Sequence, residues 1–260
     1  VIGTIPDKED VSDRVKLAVM DILNQKYGIT EEDFLSAELT AVPAYEVREV
    51  GFDRSLIAGY GHDDRVCAYA ELAAILETEN PEKTAVCILA DKEEIGSEGV
   101  SGMKSMAFER FMGDLCDTQG VKLTHCFANS LCISADVTNA FDPVYPDVSE
   151  KRNAAKINYG MSICKFTGHG GKSESNDASA EVVARLRRIF AENNVVWQMA
   201  ELGKVDQGGG GTVAMYMAER DIDTIDAGVP VLSMHAPYET VSKFDCYMTY
   251  KGIKAVYDEK

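Results

Sequence analysis

From Tyr60 to the end of the chain, short apolar runs alternate with segments of helical periodicity. Strands are predicted at residues 84–90, 124–136, 195–201 and 229–235, with a further extended stretch at 154–168. Helices are predicted at residues 64–76, 105–116, 178–192, 212–219 and 239–258, the third of them capped by Asn176 or Asp177. Strands that alternate with helices predict an α/β fold, with a mixed or largely parallel sheet covered on both faces.

The first 50 residues have a different pattern. Helical spacing predicts a helix from Asp10 to Tyr27 that ends before Gly28, and Thr30 then has the character of an N-cap. Residues 38–50 alternate like a strand that is interrupted by Pro43. This change predicts that the first region belongs to a different substructure from the rest.

Charge and cysteine content exclude several classes of protein. The formal net charge of -17 argues against nucleic acid or an anionic membrane surface as a partner, and the apolar runs are too short to cross a bilayer. The seven cysteines have no CxxC spacing and lie mostly in apolar surroundings, which predicts reduced thiols and a cytoplasmic location. Because Val1 replaces an initiator Met, we expect a processed or partial chain.

Adjacent carboxylates follow the first predicted strand of the alternating region. Glu93 and Glu94 come just after the apolar run 84–90. Ionised neighbours repel unless a cation or a shared proton intervenes. The alternative is a solvated charged turn, which is the more common setting for such a pair.

Hard metal ligands lie beyond several predicted strands. The four places are Gly61–Arg65, Glu93–Glu94, Ser134–Asp136 and Ser233–Ala236. Each alone has a simpler explanation, since a strand-end Asp is often a helix cap and a lone His is often a core residue. Together they predict convergence on one site of the kind that zinc, manganese or cobalt accepts.

A run of four glycines, Gly208–Gly211, separates a predicted strand from a predicted helix. Such a run allows a tight turn or a close approach of the backbone to a ligand. A phosphate loop is less consistent with the sequence, because Thr212 follows and the GK[ST] motif is absent.

The sequence resembles the family of dinuclear metallo-aminopeptidases that includes aspartyl aminopeptidase and aminopeptidase I, which is metallopeptidase family 18. The resemblance is strongest to the bacterial branch of this family. The resemblance extends over nearly the whole chain, in order. The motifs that carry it are GYGHDDRVCAYAEL (59–72), LADKEEIGSEG (89–99), SADVTNAFDP (134–143), KFTGHGGKSESNDASAE (165–181), ELGKVDQGGGGTVA (201–214) and VPVLSMHAPYETVSKFD (229–245).

The resemblance implies a three-layer α/β sandwich of the zinc-aminopeptidase type, with a mixed, mostly parallel sheet. It implies that residues 1–45 are the end of an inserted dimerisation domain and that residues 46–260 are a catalytic domain, incomplete at its N-terminal side. It also implies peptide substrates and a homo-oligomer built from dimers, such as a dodecamer, with no nucleic-acid or membrane partner.

The resemblance also implies site roles. Asp63 matches the carboxylate that bridges two divalent metal ions, and the peptide bond after it is expected to be cis. Glu93 matches the general base and Glu94 a neighbouring ligand. Asp136 matches a ligand of one metal and His235 a ligand of the other. The ions are expected to be zinc, with manganese or cobalt as alternatives.

Substrate contacts are expected from Gly209, Gly210 and Thr212, since backbone donors of the glycine run can approach a peptide. Lys172 is expected to contact a carboxylate of the substrate, with Lys165 as an alternative. A solvated lysine is the competing interpretation for both.

One family motif is absent. Family members carry an N-terminal His in a motif that resembles His-x-Asp-x-Pro and ligates the same metal as Asp136, and none of His62, His125, His169 and His235 has that context. The chain therefore resembles the C-terminal portion of such an enzyme. Two further functions stay open: a non-catalytic scaffold or inactive portion, and an amidohydrolase that acts on N-acylated substrates.

Overall fold

The chain forms two compact units, residues 1–44 and 45–260. The computed structural model describes residues 3–7, 12–171 and 173–260. The division lies one residue from the boundary that the sequence predicts. The assignment of the first unit to a dimerisation insert remains a prediction.

The described residues of the first unit form two helices, α1 (Arg14–Tyr27) and α2 (Glu31–Leu35). Gly28 ends α1 in the left-handed conformation, with φ 71°, and its N–H donates to the carbonyl of Asn24. Thr30 caps α2 through a reciprocal pair of hydrogen bonds with Asp33. The end of α1 and the cap of α2 are as predicted, but α1 begins at Arg14 and residues 12 and 13 form a turn. Residues 10 and 11 of the predicted first helix lie outside the described residues.

The second unit contains the alternating helices and strands. Its helices are α3 (His62–Leu76), α4 (Ala107–Gln119), α5 (Leu123–Ala128), α6 (Ala180–Glu192), α7 (Ala214–Ala218) and α8 (Lys243–Tyr257). Its strands are β1 (Arg48–Val50), β2 (Leu56–Gly59), β3 (Leu131–Ser134), β4 (Thr138–Asn139), β5 (Met161–Cys164), β6 (Phe166–His169), β7 (Ser173–Asp177), β8 (Trp197–Met199), β9 (Gly209–Gly210), β10 (Asp223–Gly228), β11 (Pro230–Leu232) and β12 (Glu239–Ser242). Short 3₁₀ turns occupy Glu93–Ile95 and Pro146–Val148.

Within the described residues the strands form three sheets, with the orders β1-β2-β12-β11-β4, β3-β10-β5-β8 and β7-β6-β9. The pairs β3–β10, β5–β8 and β4–β11 are parallel. The neighbours β1–β2, β2–β12, β11–β12, β5–β10, β6–β7 and β6–β9 are antiparallel. The mixed α/β class is confirmed, but the described strands pair in parallel less often than the sequence predicts.

Helices cover both faces of the sheet β3-β10-β5-β8. On one face, Leu186 and Phe190 of α6 are fully buried against Ile163 of β5 and Ile225 of β10. Burial of an aliphatic or aromatic side chain of this size stabilises the fold by about 1.5–3 kcal/mol. On the other face, buried side chains of α4, α5 and α7 pack with Cys132 of β3. Because β3 alternates its side chains between these two clusters, it lies in the middle layer of a three-layer structure.

The predicted strand at 84–90 was wrong, since these residues pair with no strand in the described part of the chain. A groove of about 1000 Å³ lies beside them, and β3 lines the same groove. β3 pairs with β10 on one side only. A strand is defined by the hydrogen bonds that it exchanges with a neighbour, and no described segment provides such a neighbour for residues 84–90.

Other boundaries also differ from prediction. The predicted strand 124–136 begins as α5, because Phe127 turns inward to stack on Phe108 at 5.6 Å between ring centroids. Ser179, and not Asn176 or Asp177, caps α6 by accepting from the N–H of Val182. Residues 38–50 form a strand only at β1, and the last predicted helix begins as β12 before α8.

The described helices lack the combination of length and apolar character that crossing a bilayer requires. All seven cysteines are unpaired thiols.

Candidate metal centre

Three of the predicted metal ligands meet at one point. Nε2 of His235 lies 2.8 Å from Oδ2 of Asp63 and 3.2 Å from Oε1 of Glu94. One ligand atom from each residue lies within 4.8 Å of the other two. Two carboxylates and an imidazole in this arrangement are a suitable donor set for zinc or a similar divalent cation.

Local backbone conformation directs these side chains to that point. β2 leads into Gly61, whose φ of 74° turns the chain into α3. Asp63 departs from helical geometry, with ψ 107°, and the peptide bond from Asp63 to Asp64 is cis, as expected. On the other side, β11 leads to His235, whose φ is 62°. A left-handed backbone at a non-glycine residue is uncommon and is held in place by its surroundings.

A second group of acidic ligands shares Asp63 with the first. Asp63, Asp64 and Asp136 each place a carboxylate oxygen within 4.8 Å of the others. The meeting of Asp63 and Asp136 is consistent with the predicted bridging role of Asp63. Asp64 was not predicted as a member, and its Oδ1 is buried without a hydrogen-bond partner. A buried carboxylate oxygen without a partner suits a cation, since removal from water is otherwise costly.

The sequence contained one signal for Asp64, namely its adjacency to Asp63. That signal is ambiguous because neighbouring residues of a helix face different directions. The departure from helical geometry at both aspartates is what brings their carboxylates together. This departure could not be foreseen from spacing.

Four carboxylates at the site have raised pKa values, namely those of Asp63, Asp64, Glu93 and Asp136. Removal from water is the main cause that raises the pKa of Glu93 to about 7, and the negative charges of Glu94 and Asp63 add to it. Burial also raises the pKa of Asp63 to about 6, followed by the charge of Glu94, whereas His235 opposes the shift. Burial raises the pKa of Asp136 well above its usual range. This concentration of negative charge is the environment that a bound cation would relieve.

We expect metal affinity in the whole protein to fall as the pH is lowered from about 8 to about 5.5. The ligands must be deprotonated to bind a cation, so each proton displaced costs about tenfold in affinity per pH unit below its pKa. The folding stability of the metal-free protein has the opposite pH dependence. Protonation of Asp63 and Glu93, whose pKa values are raised, stabilises the fold, and this stability is lost as the pH rises through about 6 to 7.

Thermal unfolding with and without Mn²⁺ at both pH values measures this effect. The metal-induced rise in Tm should be larger at the higher pH. An equal rise at both values would contradict a carboxylate-rich site. Mn²⁺ is preferred to Zn²⁺ for this comparison because it avoids hydroxide precipitation at the higher pH.

The predicted substrate residues have structural partners of their own. Gly209 pairs with His169 and Gly210 with Gly168, so part of the glycine run forms β9 against β6. A Cβ at Gly209 would lie 2.0 Å from the carbonyl oxygen of Gly168, which explains the need for glycine by strand packing alone. The hydroxyl of Thr212 accepts from the N–H of Ala214. Substrate contact by these residues remains a prediction.

Burial raises the pKa of the Asp226 carboxyl to about 6, and the side chain of Thr212 is among the groups that oppose this shift. Lys172 lies outside the described residues. The alternative cation, Lys165, forms an ion pair with Asp177. Lys165 thus already has a carboxylate partner within the chain.

With this geometry established, comparisons with known proteins identify the family. The model of the family described as aminopeptidase I zinc metalloprotease (M18) matches residues 2–257. The chain belongs to the M18 family. The resemblance inferred from the sequence motifs is therefore confirmed.

Curated relatives support the assignment. The chain is 52% identical to a probable M18 family aminopeptidase 1 from Clostridium acetobutylicum, over 98% of this chain and 56% of the relative. It is 47% identical to the corresponding protein from Thermotoga maritima, over 100% of this chain and 58% of the relative. The chain thus spans little more than half the length of these M18 relatives.

Solved structures of M18 proteins also match the fold of this chain. A crystal structure of an M18 family aminopeptidase from Thermotoga maritima matches with a TM-score of 0.94 at 47% identity, covering 100% of this chain and 58% of that one. Aminopeptidase I from Clostridium acetobutylicum matches with a TM-score of 0.91 at 51% identity, covering 100% and 57%. A yeast dodecamer described as mApe1 shares the fold at 20% identity, with a TM-score of 0.72 over 96% of this chain and 56% of that one.

Proposed function

We propose that the whole protein is a metal-dependent aminopeptidase that removes the N-terminal residue of peptides. The observation that carries this proposal is the meeting of Asp63, Glu94 and His235, with Asp63 shared by a second acidic group. Membership of the M18 family supports it. The acidic surroundings and the buried unpartnered oxygen of Asp64 fit a cation better than a neutral ligand.

Two divalent ions are proposed, with zinc as the first choice and manganese or cobalt as alternatives. Asp63, Glu94 and His235 would hold one ion, and Asp63, Asp64 and Asp136 would contribute to the other. Bound ions of this kind supply Lewis-acid polarisation of a carbonyl and lower the pKa of a bound water.

Glu93 is proposed as the general base. It lies on the 3₁₀ turn that follows the unpaired segment 84–90, next to the ligand Glu94. A carboxylate with a pKa near neutrality can accept a proton from the attacking water and return it to the leaving amine. Proton transfer by a positioned side chain of this kind contributes about 100-fold to 10⁴-fold to the rate.

Substrates with free and blocked amino groups test this function in the metal-loaded whole protein. Leucyl and aspartyl p-nitroanilides cover an apolar and an acidic side chain, and their N-acetyl forms are matched controls. We expect turnover of at least one free-amine substrate and a loss of more than about 100-fold on acetylation, since the site would recognise the amine. Release of acetate from the N-acetyl forms, with the anilide bond left intact, would favour an amidohydrolase.

A lack of cleavage of every substrate by protein that holds metal would favour a scaffold.

The protein is also proposed to be cytoplasmic, which its seven unpaired cysteines support. A homo-oligomer built from dimers is proposed as well, in keeping with the yeast dodecamer of the same fold. Light scattering of the whole protein tests the assembly, and a monomer at working concentration would overturn it.

The groove beside β3 is proposed to receive one strand from a part of the polypeptide outside these 260 residues. Helices line the groove from both layers, with Glu71 and Tyr257 on one side and Met112 and Phe127 on the other. A slot between two helical layers, with extended backbone along two walls, has the shape of a missing sheet strand. The relatives' chains have the necessary length, because about 58% of each is matched.

We expect hydrogen exchange in the whole protein to show strong protection of amides in 84–90 and 131–134. Rapid exchange would contradict the proposal. An Ile88→Cys, Ile133→Cys pair tests the spacing, because strands lie about 4.8 Å apart and one inserted strand separates these walls by about 10 Å. A disulfide needs a Cα separation below about 7 Å, so its formation would show direct pairing without an inserted strand.

A further inference from the structure

Glu239 lies behind the metal-ligand cluster and contacts it only through the backbone. It is the first residue of β12 and is 2% exposed. Its Oε2 accepts from the N–H of Asp63 at 3.0 Å, and its Oε1 accepts from the N–H of His235 at 2.7 Å. One carboxylate therefore links the main chains of two residues whose side chains meet in the cluster.

The backbone at both residues that Glu239 links departs from regular secondary structure. Asp63 has non-helical φ and ψ within α3. His235 follows Ser233 in a turn where both residues have positive φ, 62° and 59°. Conformations of this kind persist when contacts around them hold them in place. The two hydrogen bonds from Glu239 are such contacts.

β12 gives Glu239 a fixed position from which to act. In the sheet, Glu239 is the register partner of Gly59 in β2, the strand that leads to Asp63. β12 is also paired with β11, the strand that leads to His235. The carboxylate thus lies between the two strand ends, on a rigid element that is common to both.

The charge of Glu239 has no cationic side chain as a partner in the part of the chain that the structure describes. Its two carboxylate oxygens accept from two backbone N–H donors, one on each linked residue. The negative charge of Glu239 acts on Asp63 and adds to the electrostatic attraction for a cation there.

We propose that Glu239 is a positioning residue for the ion held by Asp63, Glu94 and His235. It fixes the backbone of two of the three ligands and adds a buried negative charge behind them. This inference rests on the proposed metal function. Supporting groups of this kind are typically worth about 10-fold to 100-fold in metal affinity.

Glu239→Gln in the whole protein tests this role. Glutamine keeps the shape but directs an NH₂ group at one of the two backbone N–H donors and removes the charge. Zn²⁺ affinity is measured by competition with a chromophoric chelator, alongside thermal unfolding of the metal-free protein. We expect about 10-fold to 100-fold weaker binding of one ion.

Asp245→Asn is the matched control. Asp245 is also a buried carboxylate, 0% exposed, and it accepts from the N–H groups of Asn158 and Gly160, each at 2.7 Å. Its substitution breaks the same kind of interaction outside the cluster, so we expect lower thermal stability with unchanged Zn²⁺ affinity. Equal losses of affinity in the two variants would reduce Glu239 to a stabilising role and overturn the proposal.

Glu239→Asp keeps the charge but shortens the side chain, so it covers the case in which the Gln variant does not fold. A weaker affinity than wild type supports the positioning role, and a wild-type affinity in a folded variant contradicts it. If the wild-type protein itself binds no Zn²⁺, the proposed function fails. If the wild type binds Zn²⁺ and both Glu239 variants bind it equally well, only the role of Glu239 fails.

Discussion

Glu93→Gln in the metal-loaded whole protein should lower kcat by about 100-fold to 10⁴-fold while leaving the metal content unchanged. An amide cannot accept the proton of an attacking water, and loss of a general base has an effect of this size. Glu93 adjoins a ligand but is absent from both ligand groups in the described residues. Its substitution should therefore separate catalysis from metal binding.

Turnover, metal content and Tm measured on the same preparation distinguish the causes. Glu98→Gln is the control, because Glu98 follows in the same loop and pairs with Lys104 at the surface. That variant should behave as wild type. Near wild-type turnover in Glu93→Gln with bound metal would exclude Glu93 as the base.

Asp63→Asn should have the second large effect, namely the loss of tight binding of both ions. Asp63 belongs to both ligand groups, so one substitution weakens both. An asparagine oxygen carries no net charge and is a much poorer ligand for a divalent cation than a carboxylate. We expect more than about 100-fold weaker binding and a corresponding loss of turnover.

Calorimetric titration with Mn²⁺ gives the number of sites and their affinities. Asp53→Asn is the control, since Asp53 is exposed and accepts from the N–H of Ser55 in a surface turn. If Asp63→Asn kept one site of wild-type affinity, the sharing of Asp63 between two ions would be wrong. The ligand group that forms the remaining site would then be the one that binds its ion without Asp63.

The convergence of Asp63, Glu94 and His235 could be predicted because each follows a strand-like segment, and strand ends gather at one edge of a sheet. The local pattern predicted that four places converge, and the family resemblance selected these residues within them. The local pattern was not sufficient for Asp64, because the position of its carboxylate depends on an irregular backbone. Nor was it sufficient for Glu239, whose two hydrogen-bond donors lie 176 and 4 positions away in the sequence.

Strands were predicted less well than helices for a physical reason. Helix α6 is stabilised by its own hydrogen bonds and an apolar face, so its range was nearly right. β10 was missed although it pairs with both β3 and β5, because Asp226 in its middle looks unsuitable for a core strand. In the structure Asp226 accepts a hydrogen bond from Ser134 at 2.7 Å, a partner that no local pattern shows.

The segment 84–90 shows the converse error, since it has strand-like composition but pairs with no strand among the residues that the structure describes. Its side chains include Ile88 and Leu89, which are 38% and 56% exposed, and the facing edge of β3 is equally unpaired. Open edges with apolar side chains associate readily with edges of other molecules. A preparation of these 260 residues should therefore be prone to intermolecular β-aggregation, and light scattering as a function of protein concentration measures this tendency.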